Sequence, residues 1–228
     1  MPFRTPRSVA AALVLVLMPV AGRAQYTIKE AETDPPKELD KSIGDLLARN
    51  AVQFLDSKGD LLCEVWFRKD VPSDATAQQV KNGLTFREVQ ETTLLGAIRV
   101  DKQITDYRKQ KIKPGVYTLR LAFQPMDGDH MGTAPYQEFC LLVRAEDDKK
   151  PDPLKDAKQL QELSTKVAGT SHPAILLLFP GKDPGEAAKL VKMPENTWVV
   201  TRRLDVSAKG QKATLVIGLT LVGVSSAA

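Results

Sequence analysis

In the segment 115–123, GVYTLRLAF, Tyr117, Leu119, Leu121 and Phe123 alternate with Thr118, Arg120 and Ala122. A period of two sends successive side chains to opposite faces of a strand. The pattern predicts a strand with one buried face, entered through a Pro114-Gly115 turn. The segment 136–145, YQEFCLLVRA, is apolar without interruption in its middle, which predicts a strand covered on both faces. Between the two lies QPMDGDHMGTAP, 124–135.

The same reading extends along the chain. Two apolar runs flank DSKGD, with Gly59 in the turn, and predict a hairpin in which Cys63, Val65 and Phe67 share one face. The segment 84–100 is rich in Thr, Val, Phe and Ile and predicts one or two strands with a break near Gly96. A buried strand is predicted at 174–179, closed by Pro180-Gly181. Two more, 197–206 and 212–223, are joined around Lys209-Gly210. The second of these is too short to span a bilayer as a helix.

Helical periods are fewer. Leu39, Ile43, Leu46 and Leu47 share a face after Pro35-Pro36. The segment 73–83 opens on Ser73 or Asp74 as N-cap and closes at Gly83. Leu154, Ala157, Leu160, Leu163 and Val167 form a stripe on a helix predicted at 153–168, ended by Gly169. Seven to nine strands with two or three short helices, joined mostly by turns, predict a mainly β fold. The expected architecture is an antiparallel β-sandwich with the helices inserted; the alternative is an α+β open sheet with the 153–168 helix packed on one face.

The beginning of the chain changes the picture of where it works. Arg4 and Arg7 precede an apolar run from Ser8 to Val20, and Gly22 and Ala24 are small residues before Gln25. This is the pattern of a cleaved signal peptide, 1–24. The apolar run falls short of the ~20 residues a membrane span requires. The remainder, 25–228, is expected to be a single β-rich domain, exported and periplasmic or extracellular, with no membrane span after cleavage. Export also changes the charge. Arg4, Arg7 and Arg23 belong to the leader, so the remainder carries 29 basic against 28 acidic residues, a formal +1. A nearly neutral surface gives no reason to expect a nucleic-acid partner.

Two cysteines, Cys63 and Cys140, sit in strand-like apolar runs. Neither belongs to a CxxC motif. They read as buried thiols or as one disulfide in an oxidising compartment.

Catalytic signatures are few. The sequence contains no GxSxG elbow, HExxH motif, P-loop or GxGxxG after a strand. The densest candidate is the 124–135 loop. Asp127, Asp129 and His130 combine hard oxygens with an imidazole, a set suited to a divalent metal. His172 would supply a fourth ligand if the 153–168 helix returned the chain antiparallel to the strand before it. The plain alternative is a long inter-strand turn, since Asp127-Gly128 is itself a turn former. Arg108, Lys109, Lys111 and Lys113 could meet an acidic ligand or form a solvated connector. Trp66 and Trp198 could stack on a sugar ring or fill the core.

Taken together, EVWFRKDVP, TLLGAIRVDKQITDYRKQKIKPGVYTLRLAFQPMDGDHMGTAPYQEF and SHPAILLLFP resemble an uncharacterised family of predicted secreted bacterial proteins with no assigned function. The resemblance implies export and a β fold and supplies no catalytic residues. The functional expectation is a non-enzymatic exported protein that binds an unidentified ligand or an envelope partner. The alternatives are a metal-dependent binding or hydrolytic site at the 124–135 loop, and a carbohydrate-binding module.

Overall fold

The computed structural model describes Met1, residues 26–125, Gly128 and residues 132–225. The chain is mainly β. Its strands are β1 (Tyr26–Glu32), β2 (Asn50–Asp56), β3 (Leu61–Phe67), β4 (Val71–Ser73), β5 (Leu94–Val100), β6 (Ile104–Thr105), β7 (Lys111–Ile112), β8 (Gly115–Phe123), β9 (Glu138–Arg144), β10 (Ile175–Pro180), β11 (Lys189–Met193), β12 (Thr197–Ala208) and β13 (Gln211–Val222). The helices are α1 (Lys41–Gly44), α2 (Ala77–Asn82) and α3 (Ala157–Ala168).

One large curled sheet runs β1-β2-β3-β5-β8-β9-β10-β13-β12-β11, and β4 adds to β12 in parallel. The curl is made at β10. Ile175, Leu176 and Leu177 pair with β9, whereas Leu178, Phe179 and Pro180 pair with β13. A strand that changes partner midway turns the sheet back over itself, as corner strands do in sandwiches. The two edges then approach. The Ala188 N–H donates to Glu30 Oε1 at 2.9 Å, Arg202 pairs with the same carboxylate, and Tyr26 packs between Phe54 and Trp198.

The inner faces of the two layers share one core. The first layer contributes Phe54, Val65, Ile98, Leu119, Leu121 and Leu142, and the second Trp198, Val200, Ile217 and Leu219. The alternation in β8 delivers this arrangement, with Tyr117, Leu119 and Leu121 facing inward as expected. The other face of β8 is buried too, which the alternation does not predict. Thr118 and Arg120 are fully buried there, because the segment after β9 and helix α3 cover the outer surface of this layer. Leu160 of α3 packs on Ala122, Leu141 and Val143. Ile43 and Leu47, around α1, cover Trp66, Leu94 and Ala97 on the same side.

The helices start later than the apolar stripes suggested. Helix α2 is capped by Thr76, whose hydroxyl accepts from the Gln79 N–H while Gln79 reaches back to the Thr76 N–H. This reciprocal box is stronger than either Ser73 or Asp74 could make. Helix α3 begins after Asp156, whose carboxylate accepts from the Gln159 N–H. Gly96 does not break a strand but lies inside β5, where its backbone passes so close to β3 that a Cβ would stand 2.5 Å from Trp66 O. Lys209 and Gly210, both at positive φ, form the two-residue turn between β12 and β13, the geometry that matches strand twist in tight hairpins.

Candidate functional site

The covering of the outer face is incomplete beside β10, and a cleft of about 580 Å³ opens there. Its floor comes from alternate positions on three neighbouring strands: Ala122 of β8, Phe139 and Leu141 of β9, and Ile175 of β10. Gln161 of α3 stands on one wall, and Tyr107 and Arg108, from the turn between β6 and β7, on another. The stems of the 124–135 loop, through Gln124, Pro125, Thr133 and Ala134, close one end. Ser171, His172 and Pro173 line the approach to β10. The arrangement is an apolar floor with a polar rim, the composition of small-molecule sites.

One buried carboxylate fixes the Tyr107–Arg108 wall. Asp106 is fully buried. Its Oδ1 accepts from the N–H groups of Arg108 and Gln110 at 2.9 and 2.8 Å, and its Oδ2 from Gln110 Nε2 at 2.9 Å and the Ile175 N–H at 3.0 Å. Gln110 Nε2 also donates to Pro173 O at 2.8 Å, and its Oε1 accepts from the Thr170 hydroxyl. The Tyr107 N–H donates to Ile175 O at 3.0 Å. The turn is thereby tied to the start of β10 at several points. Burial pushes the Asp106 carboxyl above the usual carboxylate range, against the four hydrogen bonds that favour its charged form. Burial also raises the Tyr107 phenol, with the Glu195 charge adding to it.

Of the four metal candidates, Asp127, Asp129 and His130 lie outside the described residues. His172 is exposed and lines the cleft. Among the described residues no three His, Cys, Asp or Glu side chains are grouped to hold a metal ion.

The path proposed to bring His172 back to the loop differs from the one observed. Arg120 Nη1 donates to Asp152 O and the Thr92 hydroxyl to Leu154 O. The chain after β9 has therefore already returned along the outer face before α3 begins. At the other end of the helix, Arg144 Nη2 donates to Lys166 O at 2.6 Å, so α3 runs in the same direction as β9. Strand β10 then starts with Ile175 opposite Leu141 and runs toward the loop, with Leu177 opposite Phe139. The physical reason is Arg120: a buried guanidinium needs acceptors, and it takes them from the 148–152 segment.

Both indoles are buried, Trp66 at 0% and Trp198 at 7% exposure, so neither presents a face to a sugar ring. Trp66 Nε1 donates to Thr33 O, and Trp198 carries Lys192 over its ring. Cys63 and Cys140 are free thiols in the core. The basic run 106–113 divides: Lys109, Lys111 and Lys113 are exposed, whereas Arg108 is half-buried at the cleft. The signal that separates them is Asp106, whose side chain can close a tight turn on the N–H groups that follow it.

No helix of the described residues is long and apolar enough to cross a membrane. No family model, curated protein or solved structure matches the chain.

Proposed function

We propose that the protein is an exported, non-enzymatic binding protein of the cell envelope, periplasmic or extracellular, and that it holds a small ligand in the cleft beside β10. Export rests on the leader-like pattern of residues 1–24. Binding rests on one observation: an apolar floor built on three paired strands, rimmed by polar groups, in a cleft of about 580 Å³. That volume falls within the range of about 300–1,000 Å³ found for small-molecule sites. The side chains of the floor are set by strand pairing, so little ordering is needed when a ligand enters. Binding is preferred to hydrolysis because the sequence carries no recognisable nucleophile or cofactor motif.

The test is protein-observed NMR with a library of small apolar and amphipathic compounds. Shift changes confined to Phe139, Leu141, Ile175 and their neighbours are expected. Hits scattered over the surface, or none at millimolar concentration, count against the reading. Export is checked separately by the N-terminal sequence of the protein recovered outside the cytoplasm, expected to begin at Gln25.

A further inference from the structure

We propose that the ligand of this cleft is an apolar organic monoanion, an aromatic or aliphatic carboxylate, and that Arg108 is the group that receives its charge. The inference rests on the binding reading above and goes beyond it by naming the chemical class.

The argument begins with what Arg108 lacks. Among the described residues its guanidinium has no hydrogen-bond or carboxylate partner, although the side chain is half-buried at the cleft wall. The other cation buried in this region, Arg120, has every N–H satisfied. A guanidinium on a half-buried residue, without a partner among the described residues, is a ready receptor for a planar carboxylate, which it can hold through two parallel hydrogen bonds.

Among the described residues its surroundings do not compensate it. None of the described residues that line the cleft is acidic. The nearest carboxylate in sequence, Asp106, is turned behind the wall and occupied by four N–H donors. Glu195 acts on Tyr107 from the turn between β11 and β12 but does not line the cleft. The Arg108 main chain is held by Asp106, so the guanidinium projects from a fixed base, and binding loses less freedom.

The floor sets the rest of the ligand. Phe139, Leu141 and Ile175 offer no hydrogen-bonding side chain, so a sugar or a peptide backbone would bury polar groups without partners there. A flat or extended hydrocarbon body meets no such penalty. One charged end and one apolar body match one cation and one apolar floor.

The experiment is calorimetric titration of the full protein with three probes of one shape: 2-naphthoate, 2-naphthalenemethanol and 2-naphthylmethylammonium. We expect the anion to bind about tenfold or more tighter than the alcohol, and the cation weakest. Arg108→Gln should bring 2-naphthoate to the affinity of the alcohol and leave the alcohol within about twofold. Ala134→Trp, which fills the cleft, should weaken both. Equal affinity for anion and alcohol, or preference for the cation, overturns the anion inference and leaves the binding reading standing. A loss of alcohol binding in Arg108→Gln, with circular dichroism unchanged, also overturns it, because the side chain would then be shaping the floor. Failure of all three probes at millimolar concentration overturns both, as does binding that Ala134→Trp does not change.

Discussion

Arg120 grips Asp148 through both carboxylate oxygens, Nε to Oδ2 at 2.7 Å and Nη2 to Oδ1 at 2.8 Å, with both side chains buried on the outer face of the sheet. The three remaining N–H donors reach Thr92 O, Lys150 O and Asp152 O. The Thr118 hydroxyl completes the carboxylate at 2.5 Å. A guanidinium has five donors, and all five are used. This node fastens the segment after β9 to β8 and so decides where α3 and the cleft wall lie.

Removing one partner should therefore be severe. Arg120→Met leaves a buried carboxylate and three carbonyls unpaired, and Asp148→Leu leaves a buried cation. Each should lower unfolding free energy by about 3–5 kcal/mol in urea denaturation. The double variant should lose less than the sum, because the orphaned charge disappears from both sides. Additive losses, or a single loss below about 1 kcal/mol, would show that the pair is not acting as a buried unit.

Much of this fold is legible in the sequence where one rule acts alone. The alternation in β8, the apolar run of β9 and the Lys209-Gly210 turn each specify an element by local chemistry. Strand β1 is missed because YTIKEAE carries three charges and its burial comes only from pairing with β2. The inward face of β8 follows from its period, but its covered outer face does not, since Arg120 reads as solvent-facing until Asp148 is brought to it. The cleft is illegible for the same reason. Its residues come from several separate segments, and Arg108 is distinguishable from the neighbouring lysines only through Asp106. Asp127, Asp129 and His130 lie outside the described residues.

Asp106 should make stability depend on pH in an unusual sense. Burial raises its folded-state pKa above the unfolded value of about 3.9. Between those two values the native state binds more protons than the unfolded chain, so this group makes stability fall as pH rises through the window. Its contribution is fully present below the unfolded value and lost above the folded one. Asp106→Asn should abolish that component of the pH profile measured by denaturation. It should also destabilise at every pH, by about 1–3 kcal/mol, because an amide NH₂ would face the Ile175 N–H and Gln110 Nε2. A variant whose pH profile superimposes on that of the native protein would exclude Asp106 as the source.

Burial pushes the Cys63 and Cys140 thiols far above their ordinary pKa. The thiolate is the reactive species. Neither cysteine should react with Ellman's reagent in the folded protein, and both should react in guanidinium. One thiol reacting in the folded state would place that strand at the surface.

Gly96→Ala tests the closest approach within the sheet. The added methyl would stand 2.5 Å from Trp66 O and 3.3 Å from Phe67 Cα. Backbone atoms on a paired strand cannot give way as a flexible side chain can. Overpacking of this kind lowers stability by about 1–3 kcal/mol, and the change should appear in thermal unfolding with altered Trp66 fluorescence. A melting temperature unchanged from the native protein would mean that β3 and β5 are more widely spaced.

Glu30 tests the closure of the two layers. Its carboxylate accepts both from Arg202 of β12 and from the N–H of Ala188, next to β11. No strand ladder joins β1 to β11, so these contacts, with Tyr26 against Trp198, hold the edges together. Glu30 is partly exposed, so solvent screens the ion pair and the loss on Glu30→Ala should be only about 1 kcal/mol. Its distribution is the informative quantity. Amide exchange should accelerate in β1 and β11 while the central strands β8 and β9 keep the protection of the global core. Uniform acceleration across all strands would instead mean that the edges open only when the whole molecule unfolds, and that Glu30 contributes no separate latch.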